Sequence, residues 1–140
     1  MTGATSDRRN HVYVRNVHQK GRGVFANIPF KVGDLIEIAP TWGFLGSDEK
    51  LLERTGLFEY YFVRPIDNNP VENQRSGYVV FGLISIVNHS SSPNSQILWF
   101  DDDTGAWASI VALKDIQVGE EITHRYANIE DYPSTITFIE

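Results

Sequence analysis

The chain has no cysteine in 140 residues. Disulfide bridges and cysteine-held zinc are therefore both excluded. Positive charge is scarce as well, with 12 Lys and Arg against 18 Asp and Glu, a formal net charge of −6 and a pI near 5.1. Phosphate backbones are bound by basic faces, so direct nucleic-acid binding is not expected. A mildly acidic surface keeps a small protein soluble, and it also steers cationic partners such as a lysine-bearing tail. Long apolar runs are missing too: none approaches the roughly 18 residues of a membrane span. Residues 1–10 are polar, without the apolar core of a signal peptide. The expectation is an intracellular protein, neither secreted nor in a membrane, with residues 1–10 as a flexible arm.

What is present has the composition of one folded domain, over residues 11–140. The sequence is 41% apolar and 12% aromatic, and at this length a core can form without staples. The pattern is short and β-rich. Segments 11–17, 24–26 and 35–39 carry β-branched or aromatic residues between turn signals. Segment 48–55 is the best helix, with Ser47 as its N-cap and Gly56 just past its end. Residues 57–63 suit helix or strand equally. Residues 65–76 are rich in Asn, Asp, Pro and Gln and read as a loop. Segment 78–87 is nearly all apolar, too apolar for a sheet edge. Segments 97–100 and 106–113 flank Asp101-Asp102-Asp103-Thr104-Gly105, a hairpin loop in which Gly supplies a positive φ. The Asp run is read as a solvated turn, because no further acidic ligands follow at calcium-loop spacing.

One pattern occurs twice. Ala26-x-x-x-Phe30-x-Val32-Gly33-Asp34-x-Ile36 returns as Ala112-x-x-x-Ile116-x-Val118-Gly119-Glu120-x-Ile122. Each copy reads as a strand end, a short excursion, a glycine turn and a new strand. A solenoid needs at least three copies, so this is a pair of similar β-units. The expected architecture is mostly β, in small twisted sheets with one or two short helices.

Three segments carry candidate chemistry. Gly21-Arg22-Gly23 reads as a turn between strands, either a plain hairpin turn or a place where backbone meets a ligand closely. It is no dinucleotide fingerprint, lacking the third glycine and the βαβ pattern. Asn88-His89-Ser90 follows the apolar run and admits three readings: a hydrolytic Ser-His pair, a glycosylation sequon, or a turn capped by Asn and Ser. No acid is placed to orient the imidazole, and no nucleophile elbow is present. Tyr126 closes the segment Gly119-Glu120-Glu121-Ile122-Thr123-His124-Arg125-Tyr126. A tyrosine there is ordinarily a core edge with its hydroxyl in water.

In this order the three segments resemble the SET-domain family of protein lysine methyltransferases, over about residues 15–132. The resemblance implies a SET-domain, β-clip-like fold, with small sheets around a knot-like crossing of the C-terminal strand and the Asn-His-Ser segment. Nothing in periodicity predicts such threading, which chains rarely adopt. It implies S-adenosylmethionine as cofactor, with Gly21, Arg22, Gly23 and Val24 at its methionine end. Asn88 would bond the amino-acid end, and the His89 backbone would contact the adenine. Tyr126 becomes the catalytic tyrosine, while Tyr60, His124 and Asn128 line the substrate lysine channel.

The sequence also departs from the family pattern. Ala127 stands where Gly is common, and Asn128 where many members carry a further aromatic. His124 occupies a position often Phe or Tyr, which bears on how many methyl groups fit. Only 14 residues follow Tyr126, so Tyr132 or Phe138 would have to pack on the adenine. If neither does, either a partner chain completes the pocket, as in a homodimer, or the cofactor binds weakly. The implied partner is a protein bearing a lysine in a basic, histone-like segment, and the implied location is cytoplasmic or host-nuclear. The alternative function is a catalytically inactive SET-like module that binds protein. A β-rich module without cofactor would require three coincident motifs.

Overall fold

The computed structural model describes residues 11–64 and 75–126. Strand β1 (Val12–Val17) and strand β2 (Gly21–Ala26) form an antiparallel hairpin in which Arg15 faces Gly23 and Asn16 faces Arg22. The turn is His18-Gln19-Lys20, with φ of 65° at Gln19 and 81° at Gly21. Gly21-Arg22-Gly23 is thus the first half of a strand and not the turn that its glycines suggested. All three residues are paired with β1, and among them Gly21 alone uses glycine's left-handed freedom.

Strand β3 (Leu35–Phe44) is the central element and runs beyond the expected 35–39. Its first half pairs with β7 (Gly105–Ala112) and its second half with β4 (Gly77–Val80). Pro40, which has no N–H to donate, lies at the changeover between these partners. Strand β6 (Ser95–Asp102) completes the antiparallel sheet in the order β4-β3-β7-β6. The β6–β7 hairpin closes at Asp103-Thr104, with Gly105 at φ 117°. Asp102 accepts the Thr104 N–H at 2.8 Å and so holds the turn.

The apolar segment 78–87 divides. Residues as far as Val80 form β4, which is an edge of the four-stranded sheet, contrary to expectation. The edge is covered in part, because Phe62 bridges Tyr78 through reciprocal 2.8 Å backbone bonds. A 3-10 turn (Leu83–Ile86) follows and delivers strand β5 (Asn88–His89). Helix α1 (Gly46–Leu52) begins before the expected 48–55 and is preceded by Leu45, with no side-chain cap. Ser47 is therefore inside the helix. Thr55 instead caps the next 3-10 turn (Gly56–Glu59) by accepting the Leu57 N–H.

The repeated pattern folds onto itself. Phe30 and Ile116 exchange backbone bonds at 2.9 and 2.8 Å. Gly119 N–H donates to Ala26 O at 2.8 Å, and Gly33 N–H to Ala112 O at 2.8 Å. The Asp34 carboxylate accepts the Lys31 N–H as Glu120 accepts that of Gln117. Gly33 and Gly119 share φ of 90°. The two copies are thus related by a local two-fold, and Phe30 and Ile116 stand together at its centre, buried in the core with Ala26, Ile36, Ala112 and Ile122. The second copy leads into strand β8 (Thr123–His124), which pairs in parallel with β5. Among the described residues no helix is long and apolar enough to cross a membrane.

Candidate active site

The site forms where β5 meets β8, with the start of β2 beside them. Parallel pairing sets Asn88 against Thr123 and His89 against His124. Ser90 N–H donates to His124 O at 3.0 Å, extending the contact. Asn94 locks the far side: its amide donates to Glu121 O at 2.8 Å, and its oxygen accepts the Thr123 N–H at 2.9 Å. Ser95 Oγ donates to Thr123 O at 2.5 Å. Buried polar side chains thereby satisfy the backbone where regular sheet pairing stops.

Asn88 points toward β2. Its Nδ2 donates to Glu121 Oε2 at 2.7 Å and to Arg22 O at 3.3 Å. Lys20 Nζ lies 3.6 Å from Glu121 Oε1, and both side chains are largely buried. A Cβ on Gly23 would lie 2.7 Å from Glu121 Oε2 and 3.1 Å from Asn88 Nδ2. The missing side chain at Gly23 therefore makes room for this acid–amide pair. Val24 is a core residue whose carbonyl accepts the Ile122 N–H.

Tyr126 follows β8. Its backbone N–H donates to His89 Nδ1 at 3.0 Å, which marks that nitrogen as unprotonated. Its hydroxyl, half-buried, donates to Val87 O at 3.2 Å, one residue before Asn88. His124 lies between aromatic rings: stacked on Phe62 at 5.6 Å and 9°, and 5.0 Å from the Tyr126 ring. Neither of its nitrogens has a hydrogen-bond partner among the described residues. Burial pushes its pKa down to about 4; the Arg125 backbone opposes this and His89 adds to it. The ring is therefore neutral at physiological pH.

Phe62 also meets Trp99 edge-on at 6.3 Å, and Trp99 lies 5.1 Å from Tyr78. Arg64 pairs with Asp101 through two bonds, at 2.9 and 2.8 Å, and holds this aromatic segment to β6. Aromatic rings beside Tyr126, with the polar Asn88 amide near them, suit a cationic ligand.

Residues 21–127 match the SET domain family. The chain belongs to the SET-domain family.

This family comprises protein-lysine N-methyltransferases. The SET chain is 30% identical over 121 residues to a Schizosaccharomyces pombe histone-lysine N-methyltransferase specific for H3 lysine-37. That match covers 86% of this chain and 76% of the relative. It is also 30% identical over 140 residues to the Danio rerio N-lysine methyltransferase KMT5A-A, covering 86% of this chain but only 38% of that protein. In fold it is similar to a candidate histone methyltransferase of Plasmodium falciparum, with a TM-score of 0.66 and 23% identity over 84% of this chain and 94% of that one.

Of the residues singled out in the SET sequence, Gly23, Arg22, Asn88, His89, His124 and Tyr126 converge at the crossing. Gly21 lies at the start of β2, with a positive φ. Tyr60 caps the 3-10 turn and is 43% exposed, whereas Phe62 is the aromatic of that segment that stacks on His124. Asn128, Tyr132 and Phe138 lie outside the described residues, as do Ala127, the arm and loop residues 65–74. Glu121, Lys20, Asn94 and Phe62 escaped the reading of the sequence. Three of them lay in segments that carried a signal: Glu121 in Gly-Glu-Glu, Asn94 at the end of the polar loop after Asn88, and Phe62 in the aromatic segment with Tyr60.

Proposed function

We propose that the chain transfers a methyl group from S-adenosylmethionine to the ε-amine of a lysine in a protein substrate, with Tyr126 as the catalytic residue. The observation that carries this reading is the Tyr126 hydroxyl, half-buried and bonded to Val87 O beside Asn88. One cluster thereby joins a polar end suited to an amino-acid group and a hydroxyl suited to an amine. SET methyltransferases generally use S-adenosylmethionine. The residues fit it: the Asn88 amide keeps its oxygen without a donor among the described residues, and aromatic rings stand close by. Asn88 would hold the amino-acid end, with the backbone of Gly21, Arg22 and His89 beside it.

Lysine is protonated at neutral pH and has no lone pair to give. With a pKa near 10.4, freeing the amine at pH 7 costs roughly 4.6 kcal/mol. A channel of Phe62, Tyr126 and neutral His124 desolvates the ammonium and lowers that cost. The Tyr126 hydroxyl donates to Val87 O at 3.2 Å, and its oxygen would accept an N–H of the substrate and set the nitrogen's approach. When bound, the sulfonium supplies the methyl carbon to the nitrogen lone pair while the carbon–sulfur electrons stay on sulfur. The net charge of −6 favours a basic segment as substrate, and histone-like tails fit this. Tyr60 and Asn128 in the lysine channel, Tyr132 or Phe138 on the adenine, an intracellular location and a homodimer all belong to this proposal by resemblance.

The test is transfer of a labelled methyl group to a lysine-rich basic peptide. Turnover should rise from pH 7 toward about 9 with the free-amine fraction. Tyr126→Phe should slow it about 10²-fold. The mutation strands Val87 O, so stability should fall by about 1 kcal/mol. S-adenosylhomocysteine should still bind. Transfer undiminished in Tyr126→Phe removes the assigned role. Cofactor binding without any transfer in the native chain would leave the protein-binding module as the reading.

A further inference from the structure

The Glu121 carboxylate joins three parts of the site, through Asn88, Lys20 and the space at Gly23. Its Oε2 takes one N–H of Asn88 at 2.7 Å, and Arg22 O takes the other at 3.3 Å. Both partners can only accept, so they settle which end of the amide carries nitrogen. The Asn88 Oδ1 is left as the amide's remaining polar atom, with no donor among the described residues. Glu121 is itself fixed, by Lys20 at 3.6 Å and by the space that Gly23 leaves against it. A largely buried ion pair adds little net stability over apolar packing, so its effect here is sought in the geometry it fixes.

We infer that Glu121 is a positioning residue for recognition of the cofactor's α-ammonium: it orients the Asn88 amide so that Oδ1 accepts from that cation. This rests on the cofactor reading above and adds the residue that aims the amide. Without Glu121 only the longer bond to Arg22 O holds the amide, so it turns over more readily. In the turned-over orientation it offers N–H to a cation, and its dipole points the wrong way. Glu121 also contributes negative charge behind the amide, and Lys20 keeps that charge from being buried alone.

The ligands that test this are S-adenosylhomocysteine and its deaminated analogue, in which hydrogen replaces the α-ammonium, titrated calorimetrically into the whole chain. The native chain should prefer the parent ligand about 30-fold or more, as expected for a charge-assisted bond. Glu121→Ala should weaken the parent about tenfold or more and the analogue less than threefold. Glu121→Gln, which keeps an oxygen for Asn88, should recover part of the preference. Binding of the analogue reports that each variant is folded. If Glu121→Ala does not fold, Glu121→Asp carries the test, since its shorter arm withdraws the carboxylate and should still lower the preference several-fold. Equal weakening of both ligands would make Glu121 merely structural, and an unchanged preference would refute the role. If the native chain binds neither ligand, the cofactor reading fails and this inference falls with it. If it binds both equally, only the inference falls.

Discussion

His124 is a polar ring in an apolar slot, and its stability consequence can be stated with a sign. Its folded pKa of about 4 lies below the ordinary 6.5. Between those values the unfolded chain binds the proton that the folded chain refuses, so stability is full above the unfolded pKa and falls as the pH drops. The loss should reach about 2 kcal/mol by pH 5. Glu37 acts in the opposite sense. Burial raises its carboxyl, although the Ile84 and Leu83 backbone bonds pull it down. Its contribution is therefore present below its unfolded pKa and lost as the pH rises through the folded one. Urea midpoints at pH 7 and pH 5 should separate the two: His124→Phe flattens the decline, and Glu37→Gln steepens it at the acid end. A native midpoint that is equal at both pH values would contradict the neutral buried imidazole. At this scale Asn88, Gly23 and Tyr126 were legible because each sits in a local segment with a recognisable order. Glu121 and Phe62 were not, because what defines them is a partner far along the chain: Asn88 lies 33 residues from Glu121, and Phe62 acts through His124. No local pattern encodes such a pairing.

Among the elements, the internal repeat was legible in the sequence as a pair of similar β-units, and the structure gives it a physical meaning. Each copy supplies the backbone partners of the other, so neither can be satisfied alone. The glycine turns at Gly33 and Gly119 share φ of 90°, and an added Cβ would meet nothing within 4 Å at either. Ala at either position is therefore penalised by backbone conformation alone. Thermal melts of Gly33→Ala and Gly119→Ala should show similar losses of about 1–2 kcal/mol. Gly23→Ala has a regular backbone but collides with Glu121 and Asn88, so it should lose ligand binding as well. A much larger loss at Gly119 than at Gly33 would show that the two-fold is geometric only. Element boundaries were less legible, for reasons peculiar to each. The α1 start ignores Ser47 because Leu45 is already extended and in place. The apolar segment 78–87 reads as one strand, yet it breaks after Val80. The chain leaves the sheet at Phe81-Gly82, where the Glu37 carboxylate accepts the Ile84 N–H at 2.8 Å and holds the 3-10 turn. Composition carries no trace of that tether.

For the molecule as a whole, the site belongs to no single element: it needs the β1–β2 hairpin, the segment at Val87–Ser90 and the end of the second repeat copy to meet. Hydrophobic periodicity could announce a mostly β chain, but it could not announce this meeting, which depends on contacts of long sequence separation. A ligand that binds only the assembled site must therefore stabilise all three parts at once. At 100 times its dissociation constant, S-adenosylhomocysteine should add about 2.7 kcal/mol. For a domain of this size that raises the melting temperature by roughly 10 °C. Hydrogen exchange then tests whether the segments respond together. The amides of Ile122, Ser90 and Tyr126 donate across the junctions, to Val24 O, His124 O and His89 Nδ1 respectively. Their protection should rise in parallel on ligand binding. The Thr104 amide, held locally by Asp102 in the distant hairpin turn, should be indifferent unless exchange occurs by global unfolding. Asn88→Ala should abolish most of the thermal shift by removing the side-chain contact to the ligand's charged end. A ligand that left the melt unchanged at millimolar concentration would weigh against the site. One that protected Ser90 while leaving Ile122 and Tyr126 unaffected would show that binding is local to β5, and that the crossing is scaffold and not pocket.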